Sequence, residues 1–216
     1  MMNTGPIHPR ASRTIGAPIL AAAWLLAVAA GFLALWIYKT RPGAQGTTAA
    51  RNWPAGSRIH ANPGRATLLL FAHPRCACTR ATISELAGLM ARFHERLDAH
   101  VLLLAPPGEE PELARTALWS SAERIPGVAV ARDVGGTEAK RFGVETSGGV
   151  VLYDAAGKLA FRGGITAARG HEGDSFGRQR IVALLNGAHA DRADAPVFGC
   201  ALENEGPVRL AQVNDR

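Results

Sequence analysis

The stretch Leu68-Leu69-Leu70-Phe71-Ala72-His73-Pro74-Arg75-Cys76-Ala77-Cys78-Thr79 joins an apolar run to an amphipathic one, with two cysteines at the seam. A short apolar run closed by a turn signal reads as a fully buried strand. From Thr79 onward, Ile83, Leu86, Met90, Phe93 and Leu97 recur at alternating spacings of three and four, the pattern of one helix face. The thiols therefore fall where a buried strand hands over to a helix N-terminus. Unpaired N–H groups and the helix dipole stabilise a thiolate there, and Arg75 and Arg80 add positive charge. Thiol chemistry is expected at this seam.

The net charge of +6 is unevenly spread. Residues 1–84 carry nine Lys/Arg and no acid, whereas residues 85–216 carry 15 Lys/Arg against 18 Asp/Glu. A folded nucleic-acid surface needs basic residues clustered on one face, and no such cluster is visible, so nucleic acid is not an expected partner.

Ile15–Tyr38 is 24 residues long without a charge. About 20 apolar residues suffice to cross a bilayer, and Trp36 and Tyr38 stand at its end, where interfacial aromatics belong. Signal peptides have shorter apolar cores, so residues 15–38 read as an uncleaved anchor despite Ala-containing cleavage sites near Ala30 and Ala50. Arg10 and Arg13 on one side balance Lys39 and Arg41 on the other and leave the orientation open. Thiol chemistry is organised mainly outside the reducing cytosol, which favours an extracytoplasmic domain. Arg- and Ala-rich composition with three lysines suggests a bacterial chain, hence a single-pass protein of the inner membrane.

Five segments follow: a short basic N-terminus (1–14), the anchor (15–38), a Pro/Gly-rich linker (39–64), a globular domain (65–187) and a C-terminal extension (188–216). Within the domain, apolar runs at Ala66–Ala72, Val101–Ala105 and Val128–Ala131 predict strands. Thr79–Leu97, Glu109–Arg124 and Thr137–Phe142 predict helices, the last with Thr137 as N-cap. Gly149–Tyr153 and Leu159–Arg162 flank Asp154-Ala155-Ala156-Gly157, a hairpin signal, and Arg178–Leu185 predicts a closing helix capped by Asp174-Ser175. This order specifies an α/β sandwich around a small mixed sheet.

That order, with a thiol pair after the first strand, resembles the thioredoxin fold over roughly residues 65–187. The motif is similar to the thioredoxin-family Phe-x-x-x-x-Cys-x-x-Cys, with Cys76 at the family's nucleophilic position. Membrane-tethered bacterial thioredoxin-like proteins called RedB are also similar. The resemblance implies a thiol–disulfide oxidoreductase acting on a protein thiol or disulfide partner. Two departures stand out. The second cysteine comes one residue early, so that Thr79 takes the family's resolving position. No proline occupies the expected cis-proline slot near residues 144–149, which Ser147 or Gly148 fills instead. In the family that proline's backbone contacts the substrate peptide and shields the thiols from metals, so its absence admits metal binding.

Cys76 and Cys78 are too close for a relaxed disulfide, and a bond between them would be easily reduced. Cys200, beside the apolar Val197-Phe198, would either fold back to resolve Cys76 or be a buried lone thiol. His73 and His171 lie close to the thiols if the fold is thioredoxin-like. His73, Cys76, Cys78 and His171 would then make a soft S/N site for copper or zinc, or His171 would serve as a base. Alternatively His171 is a surface histidine in a Gly-rich loop. Glu172 and Asp174 supply too few ligands for calcium, and Gly148-Gly149 and Gly163-Gly164 lack the residues of a phosphate loop. No nucleotide or flavin signature is present, so no cofactor is expected and electrons would come from another protein. Three classes remain: an oxidoreductase using Cys76 with Cys78 or Cys200, with Arg75, His73, Thr79, Ser147, Gly148 and His171 around them; a copper- or zinc-binding metallochaperone; and a non-catalytic interaction domain.

Overall fold

Strand β1 (Ala66–Ala72) lies at the centre of the sheet because both of its faces are apolar. Leu68, Leu70 and Ala72 point into one core, and Leu69 and Phe71 into another. A strand buried on both sides reads as a continuous apolar run, which is why the sequence shows no alternation here. The structure is a computed structural model that describes residues 16–46, 49–108, 116–188 and 193–202. It divides into two units, residues 1–38 and 39–216. In the first, helix α1 (Gly16–Thr40) begins, and over Ala17–Thr40 it is long and apolar enough to cross a membrane.

The second unit holds a six-stranded sheet of order β3-β2-β1-β4-β5-β6. Strands β2 (Leu97–Ala105) and β3 (Val128–Val134) run parallel to β1. The antiparallel hairpin of β4 (Gly149–Tyr153) and β5 (Leu159–Gly163) follows on the other side, with Leu70 paired both to Val101 and to Val150. At the hairpin turn the Asp154 carboxylate accepts the N–H groups of Ala156 (3.0 Å) and Lys158 (2.8 Å). Gly157 supplies the positive φ of 74° that the turn needs.

Helices α2 (Thr79–Phe93), α3 (Ala117–Glu123) and α5 (Phe176–Leu185) contribute to one core through Ile83, Leu86, Leu89, Met90, Phe93, Leu118, Ala122, Ile181 and Leu185. Helix α4 (Thr137–Phe142) covers the opposite face through Ala139 and Phe142. The α2 face ends earlier than predicted. Leu97 keeps the helical spacing but opens β2, paired with Ala66, after an Arg96 N–H to Phe93 carbonyl turn. The predicted helix start at residues 109–115 lies outside the described residues; Leu118 and Ala122 form the buried face of the remainder, and Ala117 is exposed. Thr137 is not the N-cap of α4. Gly136 holds that position, and the buried Asp133 carboxylate takes the Glu138 and Ala139 N–H groups, each at 2.8 Å. At α5, Ser175 caps as expected, accepting the Arg178 N–H at 3.2 Å.

The Pro/Gly-rich stretch expected to be a free linker is attached to the domain over much of its length. Trp53 N–H bonds the Gly157 carbonyl and Leu159 N–H bonds the Arg51 carbonyl (2.8 Å each), and Tyr153 Oη donates to the Ala50 carbonyl at 2.8 Å. Trp53 meets Phe142 and Tyr153 edge-on, with ring centroids 5.3 and 5.1 Å apart. The C-terminal segment is likewise built in. Strand β6 (Ala193–Asp194) runs parallel to β5, and Val197 accepts the Gly43 N–H at 2.8 Å. Gly163 makes room for this: a Cβ there would stand 2.2 Å from the Ala195 carbonyl oxygen.

Phe142 is fully buried among Trp53, Phe71 and Tyr153. Phe142→Ala should therefore cost about 3–5 kcal/mol in urea unfolding. A loss below about 1 kcal/mol would show that the aromatic cluster does not hold residues 49–59 against the sheet.

Candidate active site

The end of β1 turns at His73, whose carbonyl accepts the Cys76 N–H at 3.0 Å, and the chain enters α2 with Cys78 as its N-cap. Cys76 is 1% exposed and Cys78 partly exposed. Opposite them the segment before β4 passes beneath the turn. Ser147, fully buried, accepts the His73 N–H at 2.8 Å on Oγ and shares a 2.6 Å hydrogen bond with Thr79 Oγ1. Gly148 has φ of 87° and donates its N–H to the Phe71 carbonyl at 2.8 Å. Residues 147–148 thus sit where the cis-proline slot was expected.

The third cysteine arrives from the far end of the chain. Thr146 and Ala201 form an antiparallel bridge, with Ser147 N–H bonded to the Cys200 carbonyl and Leu202 N–H to the Glu145 carbonyl, both at 2.8 Å. This pairing sets Cys200 Sγ 3.2 Å from Cys76 Sγ, both as free thiols. Gly199 permits the approach, since a Cβ there would lie 1.8 Å from the Ser147 carbonyl oxygen. Its own carbonyl accepts a hydrogen bond from Arg169.

These contacts separate the three thiols electrostatically. Burial pushes the Cys76 pKa up, but hydrogen bonds from Thr79, from the Cys200 backbone and thiol, and from Ser147 outweigh it and bring the group down to about 7. Burial drives Cys200 up to about 11, reinforced by its bond to Cys76 and by the charges of Cys76 and Cys78, with Arg169 opposing. Cys78 is raised by burial and by the Cys76 charge, again against Arg169. Cys76 is therefore the thiol of the three that ionises most readily.

The structure moves several predicted roles. Arg75 is exposed, and its charge acts on His73, whose pKa burial and Arg75 both lower. The cation that faces Cys78 and Cys200 is Arg169. His171 is exposed in the loop after Arg169, its N–H turned back to the Ala168 carbonyl at 3.2 Å. This matches the alternative reading of His171 as a surface histidine, and Arg169, which the sequence did not single out, is the side chain of this loop that acts on the thiols. Among the described residues no group of three or more His, Cys, Asp or Glu is gathered closely enough to hold a metal ion. The Nδ1 atom of His73 accepts the Arg75 N–H at 3.2 Å.

Three parallel strands, a hairpin and a closing helix surround a cysteine pair placed between the central strand and the helix after it. The fold is thioredoxin-like. No protein-family model matches the chain, and no curated protein matches it in sequence. Among solved structures, a hypothetical protein from Sinorhizobium meliloti 1021 is similar at 18% identity and a TM-score of 0.58, over 74% of this chain and 97% of that one. An uncharacterised conserved protein from Geobacillus kaustophilus is similar at 19% identity and a TM-score of 0.55, over 78% and 94%. A secreted Mycobacterium tuberculosis disulfide oxidoreductase homologous to E. coli DsbE matches at 14% identity and a TM-score of 0.40, over 58% and 84%.

In this thioredoxin-like domain the hydroxyls of Thr79 and Ser147 stabilise the ionised form of Cys76. Removing a donor favours the thiol, so Ser147→Ala or Thr79→Val should raise the midpoint of Cys76 alkylation from about 7. The expected rise is on the order of one pH unit. An unchanged midpoint in the pH dependence of iodoacetamide labelling, followed by mass spectrometry, would contradict this assignment.

Proposed function

We propose that this protein is a membrane-anchored thiol–disulfide oxidoreductase in which Cys76 is the nucleophile and Cys200 the resolving thiol. The observation that carries the reading is the 3.2 Å approach of Cys200 to Cys76 inside a set of hydrogen bonds that favours the Cys76 thiolate. Helix α1 would hold the domain at the bacterial inner membrane, on its extracytoplasmic side, where disulfide partners persist.

The exchange runs in two steps. The Cys76 thiolate attacks one sulfur of a partner protein's disulfide, forming a mixed disulfide and releasing the other partner sulfur as a thiolate that takes up a proton. Cys200 then loses its proton and attacks Cys76 Sγ. The partner's second sulfur leaves as a thiol, and a Cys76–Cys200 disulfide remains. The partner has gained two electrons and two protons, and a second dithiol protein returns them to the domain.

The first step prepares the second. Once Cys76 is in the mixed disulfide it carries no charge, so its hydrogen bond and its repulsion no longer keep Cys200 protonated. That removes two of the influences that raise the Cys200 pKa, while burial and the Cys78 charge still raise it and Arg169 still lowers it. Cys78, one residue too near Cys76 for an unstrained bond, is not required.

With insulin disulfides and an excess of small dithiol, Cys76→Ser should reduce the catalysed rate to background; in a single turnover without the dithiol, pre-reduced Cys200→Ser should accumulate a Cys76 mixed disulfide. Wild-type turnover in Cys76→Ser would remove the oxidoreductase reading and leave an interaction domain.

A further inference from the structure

Cys76 is 1% exposed in the arrangement described, so no partner disulfide reaches it without a movement. Two of its hydrogen-bonding neighbours, Thr79 and Ser147, belong to α2 and to the buried segment before β4. The third neighbour, Cys200, is on a short edge segment held beside residues 145–147 by one isolated bridge and two backbone hydrogen bonds. It is also tied by the Arg169 clamp on the Gly199 carbonyl, by the Cys200 backbone and thiol contacts to Cys76, and by the buried Leu202 side chain.

We propose that residues 199–202 are an internal latch that occupies the docking edge of the partner's cysteine-bearing strand. The segment already has the geometry such a strand requires. It lies extended and antiparallel to residues 145–147, engages the Ser147 N–H and the Glu145 carbonyl, and presents a cysteine sulfur to Cys76. A partner cannot take these backbone groups while the latch does. Opening exposes both the edge and the nucleophile, and the returning latch brings Cys200 back to the mixed disulfide. Resolution and expulsion of the reduced partner then become one event. This inference rests on the redox reading only for its purpose; the competition for the edge is independent of any turnover.

The test is accessibility of Cys76 in the full chain in detergent micelles. Labelling with a polyethylene-glycol maleimide is followed by peptide mass spectrometry over a pH series, and the plateau rates at which Cys76 is fully ionised are compared. Gly199→Ala pushes a Cβ against the Ser147 carbonyl and displaces the segment without changing the identity of any other side chain. Leu202→Pro removes the donor to Glu145. Both should speed Cys76 labelling on the order of tenfold by raising the open population. Wild-type labelling rates in the folded variants would overturn the latch. Hydrogen exchange on the unaltered chain gives a second readout. The Ser147 and Leu202 amides should exchange together and well before the Gly148 amide, which is bonded to β1. Equal protection of all three would overturn the latch, whatever the turnover of Cys76→Ser.

Discussion

Ser147 ties together three parts of the chain that are far apart in sequence. Its Oγ accepts the His73 N–H and shares a hydrogen bond with the Thr79 hydroxyl, and its N–H donates to the Cys200 carbonyl. A fully buried hydroxyl and amide must find such partners, because an unpaired polar group costs about 1–3 kcal/mol. The same bonds fix the turn that carries Cys76, the first residue of α2, and the segment that delivers Cys200. The sulfur–sulfur distance of 3.2 Å depends on all three.

The chemistry follows from which groups can donate to a sulfur. A helix N-terminus next to Cys76 suggested stabilisation by the helix dipole and Arg75. Instead the donors are two hydroxyls and the thiol and backbone of Cys200. Each acts within hydrogen-bond reach of a desolvated sulfur, where it is stronger than an exposed guanidinium screened by water. The result is an ordered pair, one thiol near neutrality and its neighbour about four pH units higher, by the difference between about 7 and about 11. In the proposed exchange this assigns attack to Cys76 and resolution to Cys200.

Most of the scaffold was legible because its signals are local. Continuous apolar runs mark strands buried on both faces, Asp154 to Gly157 marks a turn with its own side-chain acceptor, and Ser175 marks a helix start. Leu97 misled because an apolar residue at helical spacing is equally suited to begin the next strand, and the turn at Arg96 leaves no periodic trace. Residues 43–46, 49–53 and 193–202 read as linker and extension because they attach largely through backbone hydrogen bonds, which have no side-chain period. Trp53 and Val197 were their visible apolar signals, and only the second was read as docking. Within the site, Cys76, Thr79, Ser147 and Cys200 were named from sequence. Arg169 was not, because a lone arginine beside a histidine in a Gly-rich loop shows nothing of the carbonyl it will clamp.

The central claim is that Cys76 and Cys200 form the working pair. The most direct measurement equilibrates the metal-free full chain in glutathione buffers of graded potential, quenches with acid and maps the disulfide-linked peptides by mass spectrometry. A single reversible bond between Cys76 and Cys200, with Cys78 alkylated throughout, is the result this account predicts. A Cys76–Cys78 bond, or three thiols that stay free under oxidising buffer, would contradict it.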